Sequence, residues 1–123
     1  MKKCGVYYLA TVEGDQPRVR PFGVAEIIDG KLYFITGKRK EVSKQMLANP
    51  KIEISGTCGR EWIRIEALAI EDDRNEVRQQ LLDLVPSLKG MYQANDGNCQ
   101  AFYLKDATAT FYAFGGEPST VQF

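Results

Sequence analysis

Two stretches carry the side chains with the most chemical reach. In Arg18-Val-Arg20-Pro21-Phe22-Gly23, strand alternation would place Arg18, Arg20 and Phe22 on one face. One hairpin later comes Tyr33-Phe34-Ile35-Thr36-Gly37-Lys38-Arg39-Lys40. Guanidinium groups, an aromatic ring, a hydroxyl and a basic run this close together suit a planar ligand that carries a phosphate. Lys38 and Lys40 stand where a helix is expected to begin, and cations there are electrostatically misplaced unless an anion offsets them. The first backbone N–H groups of that helix would point to the same spot, so an anion site has two independent causes. Gly23 inside a strand marks close approach of a ligand or of another backbone. Arg18 fits a solvated face as well as a ligand, and the Thr36 hydroxyl either reaches the ligand or satisfies the turn before the helix. Trp62, the single tryptophan, shares a strand face with Arg64 and Glu66; a lone tryptophan is more often core, but large aromatics are also enriched at subunit interfaces.

Composition removes several classes of function. The chain has no histidine, which takes away the commonest general base, the usual haem ligand and every Ser-His or Cys-His pair. No catalytic side chain and no metal site is expected. Sixteen basic and sixteen acidic residues cancel, so the broad cationic surface of a duplex-binding protein is missing and no nucleic-acid partner is expected. No run is long enough for a membrane helix, and Met-Lys-Lys-Cys-Gly lacks the apolar stretch of a signal peptide, which points to the cytoplasm. Cys4, Cys58 and Cys99 are scattered with no paired spacing, and reduced structural thiols are the expectation.

The elements that must position these residues follow from pattern. The 123 residues suit one domain over 1–123. Strands are expected over 4–12, 18–28 and 31–37, with Asp29-Gly30 as a two-residue hairpin turn. Residues 40–48 read as a short helix stopped before Asn49-Pro50. Strands over 51–57 and 60–71 follow; in the second, Ile63, Ile65, Ala67 and Ala69 share an apolar face while Trp62, Arg64, Glu66, Leu68 and Ile70 share a mixed one. Asp73 and Glu76 have capping-box spacing for a helix ending at about Val85, before Pro86. Asn95-Asp-Gly-Asn98 is a turn, and strands over 100–104 and 108–114 close the chain, with Tyr112 and Phe114 as packing residues and Gly115-Gly116-Glu-Pro118 as an exit. Six or seven antiparallel strands with two short helices predict a mainly β, Greek-key-like small barrel, its ends capped by the helices.

Four segments in this order resemble the pyridoxamine 5′-phosphate oxidase-like family of FMN-binding split barrels. They are Tyr8-Leu-Ala-Thr11-Val, Gln16-Pro-Arg-Val-Arg-Pro-Phe22, Leu32-Tyr-Phe-Ile-Thr36 with its lysine-rich continuation to Asn49-Pro50, and Trp62-Ile-Arg64-Ile-Glu66-Ala67. The likeness runs from Val6 to about residue 114, and short members of this kind resemble the nitroimidazole-resistance branch among other flavoproteins. It implies a homodimer with FMN between subunits. By that resemblance Arg20 meets the flavin phosphate and ribityl chain, while Pro21, Phe22 and Gly23 lie along the ring. Thr36 ends the next strand, Lys40, Glu41 and Val42 fall where the helix start offers side chains and backbone N–H groups to the phosphate, and Trp62 and Arg64 reach the partner's flavin; Lys38 joins the phosphate site from the basic run itself.

Two departures narrow the activity that the resemblance implies. The carboxy-terminal Arg and His substrate contacts of true pyridoxamine phosphate oxidases are missing, and Val42 stands where those enzymes have a lysine, which argues against vitamin B6 oxidation. The expectation is an FMN-dependent oxidoreductase that takes electrons from a nicotinamide donor and reduces a small electrophile such as a nitroaromatic or quinone. A flavin-binding or flavin-sensing protein that does not turn over is one alternative, and a binder of the deazaflavin F420 is another.

Overall fold

The computed structural model describes residues 5–113 and 116–123. Eight strands and two α-helices follow in the order β1 (Tyr7–Glu13), β2 (Gln16–Phe22), β3 (Glu26–Ile28), β4 (Lys31–Gly37), α1 (Glu41–Ala48), β5 (Lys51–Cys58), β6 (Glu61–Asp72), α2 (Asn75–Leu84), β7 (Cys99–Ala113) and β8 (Ser119–Gln122), with a 3₁₀ turn at Pro86–Gly90. All pairings are antiparallel, and the sheet order is β2-β1-β5-β6-β7-β4-β3, with β8 added to β7.

That order explains why the strand expected over 18–28 divides in two. β2 pairs with β1 at one end of the sheet and β3 pairs with β4 at the other, so residues 23–25 must carry the chain between the two edges. The Tyr7 hydroxyl donates to Val24 O at 2.6 Å and pins the crossing. The sheet is rolled, because Leu9 of β1, Ile65 of β6 and Phe34 of β4 share one buried cluster. Phe22 stacks on Tyr7 (6.0 Å between centroids) and meets Phe34 edge-on at 5.6 Å, so aromatic contacts span the gap between the two ends. The fold is the mainly β split barrel expected from the sequence.

The Asp29-Gly30 hairpin forms as anticipated, with φ of 51° and 76°, the pair of positive values that a tight antiparallel turn needs. The apolar face of β6 is buried at Ile63, Ile65, Ala67 and Ala69, as its alternation predicts. Three local expectations are corrected. The strands expected over 100–104 and 108–114 are one fifteen-residue strand, β7: Asp106 takes φ of 52°, yet the ladder with β6 resumes after a bulge at Glu66/Leu68. Residues 119–122, which follow the expected exit and carry no expected strand, form β8. Asp73 does not cap α2; the cap position is Arg74, no side chain caps it, and Asp73 instead pairs with Arg78 at 2.8 Å.

α1 packs its Val42 and Met46 into the barrel core. α2 lies elsewhere than at a barrel end. Its Val77, Leu81 and Leu82 form a second cluster with Tyr33 and Ile35, which face away from Phe34 on β4. Within that layer the Tyr33 hydroxyl donates to Asp72 Oδ2 at 2.7 Å, and Arg74 grips the same carboxylate through Nε (2.9 Å) and Nη2 (2.8 Å). Arg74 holds the Asp72 carboxyl well below the usual carboxylate range, while burial, assisted by Asp72, pushes the Tyr33 phenol up to about 12.

Cys58 is disulfide-bonded, so the expectation of reduced thiols fails there. Cys99 is a free thiol buried beneath α2, and burial raises its pKa. Cys4, Phe114 and Gly115 lie outside the described residues.

Candidate functional site

The β1–β2 register sets Arg18, Arg20 and Phe22 opposite Thr11, Leu9 and Tyr7, so all three arise on the inward face of the sheet. Their fates differ. Arg18 pairs with Glu13 at 3.0 Å, both side chains about half exposed, which resolves its reading toward the solvated face. Phe22 packs against the core. Arg20 turns beneath α1, where Nη1 donates to Leu9 O (3.3 Å) and Thr11 Oγ1 (2.8 Å), and Nη2 donates to Gln45 Oε1 (2.7 Å). Thr11 Oγ1 also donates to Gln45 Oε1 at 2.5 Å, and Gln45 Nε2 reaches Glu13 Oε2 at 3.3 Å.

Every direct acceptor of Arg20 among the described residues is therefore neutral. Burial, and then the neighbouring Arg18, lowers its pKa, because both make a second positive charge harder to hold here. A half-buried cation without a carboxylate leaves its field available to an anion. Arg20 meets the helix at Gln45, one turn in from Lys40.

On the other flank of α1, Thr36 stands opposite Gln100, and the Ser43 hydroxyl donates to Gln100 Oε1. Thr36 is 1 % exposed, and its Oγ1 has no hydrogen-bond partner among the described residues. A buried hydroxyl left in that state costs about 1 to 3 kcal/mol, so a partner supplied from outside the described residues would be favoured there.

Between these flanks lies the helix start. Lys40 is the cap residue with extended backbone (ψ 146°) and no side chain caps the helix, which leaves the Glu41 and Val42 N–H groups without intrahelical acceptors. Lys38 and Lys40 are exposed beside them, and Glu41 points out to Lys44 at 3.2 Å. The Val42 side chain is buried, so its contribution here is its backbone N–H. Gly23 is exposed, and no described atom lies within 4 Å of where its Cβ would be; packing within the chain does not require glycine there.

Around the start of α1, neutral donors and cations without a carboxylate partner among the described residues make a combination that suits an oxyanion. Comparison with solved structures fits the same fold to a specific group. A crystal structure of a NimC/NimA family protein from Clostridium acetobutylicum superposes with a TM-score of 0.96 and 47 % identity, over 99 % of this chain and 86 % of that one. The chain belongs to the NimC/NimA family. Two more distant likenesses carry the fold alone. General Stress Protein 26 from Bacillus anthracis matches at TM-score 0.72 with 21 % identity (94 % of this chain, 88 % of that one). A pyridoxamine 5′-phosphate oxidase-related, FMN binding protein from Nostoc punctiforme matches at 0.70 with 16 % identity (98 % and 88 %). No protein-family model and no curated protein matches the chain.

In this NimC/NimA family chain Trp62 and Arg64 are not part of the group of residues around the start of α1. They lie on the outward face of β6, opposite to Ile63 and Ile65, whereas Arg20 and Thr36 face inward. Trp62 stacks on Tyr112 (4.1 Å between centroids, 11° between planes), and Arg64 sits 5.3 and 5.6 Å from the two ring centroids with Glu53 Oε2 at 3.6 Å. This is an aromatic and cationic patch at 36 % exposure for the tryptophan, rather than core.

Sequence reasoning missed Thr11, Ser43, Gln45 and Gln100, all buried. The available signal was a neutral polar residue interrupting an apolar face: Thr11 continues the Tyr7, Leu9 row, and Gln45 abuts the Val42, Met46 stripe.

Proposed function

We propose that this chain binds FMN at the start of α1 and acts, as a homodimer, as a reductase of small electrophiles. The observation that carries the reading is the buried, unpartnered Thr36 hydroxyl beside an uncapped helix start flanked by Lys38 and Lys40. These groups fit a phosphate monoester: two N–H donors from Glu41 and Val42, one hydroxyl, and cations whose charge nothing nearby cancels. Arg20 would extend that field toward the ribityl chain, and Pro21, Phe22 and Gly23 would border the ring. The FMN-binding relative from Nostoc punctiforme shares the fold and supports this choice of ligand. Bound FMN supplies reversible hydride transfer, while the protein supplies binding, orientation and electrostatics.

The residues gathered here are cations, amides and hydroxyls, so the chain's task is to hold and orient rather than to exchange protons. Trp62 and Arg64, facing outward, would border the partner's flavin across a twofold axis. A nicotinamide nucleotide is the donor and a nitroaromatic or quinone the acceptor in this reading. Pyridoxamine phosphate is not a substrate in this reading.

The test is direct. The purified protein should take up FMN stoichiometrically and scatter light as a particle of about twice 13.8 kDa. Anaerobic NADPH should bleach the flavin band, and a nitroaromatic should restore it. A flavin that binds but stays oxidised would mark a reservoir instead. Peroxide production from pyridoxamine phosphate, without nitroaromatic or quinone reduction, would overturn the assignment.

A further inference from the structure

The basic turn before α1 carries three adjacent cations, Lys38, Arg39 and Lys40, whose mutual repulsion works against a tight bend. It is braced from behind by the loop that precedes β7. Lys38 N donates to Asn98 O at 2.8 Å, and Arg39 N donates to the side-chain Oδ1 of Asn98 at 3.1 Å. Asn98 is itself anchored, because Asp96 Oδ1 accepts from the N–H groups of Asn98 and Cys99, each at 2.7 Å, and Asp96 Oδ2 accepts from Gln93 N at 2.9 Å. The fit leaves no slack at Gly37: a Cβ there would meet Asn98 Nδ2 at 3.0 Å, Oδ1 at 3.2 Å and the Tyr92 hydroxyl at 3.2 Å.

We propose that Asn98 is a positioning residue for the phosphate end of the ligand. By taking up the N–H groups of Lys38 and Arg39, it decides which donors remain, namely those of Glu41 and Val42. It also fixes the direction in which Lys38 and Lys40 leave the turn. Asn98 lies on an exposed loop and touches the basic turn through its amide, so its effect falls on the part of the ligand that the turn meets. This inference rests on the FMN reading above.

The experiment titrates wild type, Asn98→Ala and Gly37→Ala with FMN and with riboflavin, which lacks the phosphate, following flavin fluorescence. Asn98→Ala should lose about fivefold to tenfold in FMN affinity, the scale of one hydrogen bond, with riboflavin affinity unchanged. Gly37→Ala should act in the same way by displacing the amide. In the Asn98→Ala background it should cost less than in wild type, because the group it displaces is gone. Equal FMN affinity, or equal losses for both flavins, overturns the role of Asn98. A wild type that does not prefer FMN to riboflavin overturns the FMN reading instead. Inorganic phosphate, followed at the Glu41 and Val42 amide resonances, then decides the inference: weaker binding by Asn98→Ala supports it, and unchanged binding overturns it. Should Asn98→Ala not fold, Gly37→Ala carries the same comparison.

Discussion

The two sides of β4 treat polar groups in opposite ways. On the α2 side, Asp72 accepts from Tyr33 and from two nitrogens of Arg74, so charge meets charge and the buried hydroxyl has its acceptor. On the α1 side, Arg20 meets only neutral oxygens and Thr36 meets none among the described residues. The first network is saturated and serves the fold. The second is left with fewer partners among the described residues, the contrast expected between a binding site, as proposed here, and a structural clamp built of the same residue types.

The largest effect that would break this contrast is at Arg20. Arg20→Ala should weaken FMN binding by roughly 2 to 4 kcal/mol, the range for removing one partner of a desolvated charge pair. Stability without ligand should move by less than about 1 kcal/mol, since Thr11 and Gln45 keep their mutual bond. Calorimetric titration and urea unfolding read the two numbers separately. An equal loss in both would make Arg20 a structural residue like Arg74.

Next comes the saturated side. Asp72→Ala orphans the buried Tyr33 hydroxyl and should destabilise by about 1 to 3 kcal/mol; the half-exposed Arg74 adds little through charge alone. Its pH dependence has a definite sign. The Asp72 carboxyl is held below its unfolded value, so its contribution is present in full above about pH 4 to 5 and declines as pH falls toward the folded value. The stability gap between wild type and Asp72→Asn, measured by denaturant midpoints, should be flat near neutrality and shrink below about pH 4. FMN affinity should not change.

Thr36→Val sharpens the comparison with a smaller effect of opposite signs. Removing an unpartnered buried hydroxyl should leave the free protein as stable or up to about 1 kcal/mol more stable, while FMN affinity falls by about 1 kcal/mol. A loss of thermal stability would show that the hydroxyl has a structural partner. The smallest effect is at Asp73, where Asp73→Ala should cost under about 0.5 kcal/mol in a thermal melt, since the carboxylate is exposed and Arg78 keeps Ala94 O as an acceptor, rather than the ~1 kcal/mol of a helix cap.

Much of the fold was legible because local chemistry and tertiary role agreed. β4 matches its expected bounds, Asp29-Gly30 makes its turn, and the two faces of β6 sort as their alternation dictates. Where they disagreed, tertiary geometry won. Nothing in the Phe22 to Glu26 stretch announces that the chain must cross the whole sheet, and Lys105-Asp106 looks like a corner although the pairing with β6 carries β7 through it. For the site, charge was visible at a distance: Arg20, Lys38 and Lys40 stand out in the sequence, and the helix after them is periodic. Thr11, Gln45, Ser43 and Gln100 gain their meaning only when α1 folds over β1 and β7. The Asp72 clamp was hidden for the same reason, since Tyr33 and Asp72 lie 39 residues apart.

The position of β7 governs when this protein can exist during its own synthesis. β7 is paired with β6, β4 and β8, and among the described residues β4 has no other neighbour than the three-residue β3 until β7 arrives. A ribosome that has released residues 1–98 therefore presents the β3–β4 hairpin as an open edge, with Phe34 still lacking its stacking partner Phe102. Closure waits for β7, and the long-range pairings it brings place folding in the slower, millisecond-to-second regime. The helix that frames the proposed site is made early, but Gln100, which meets it at Ser43, is made late.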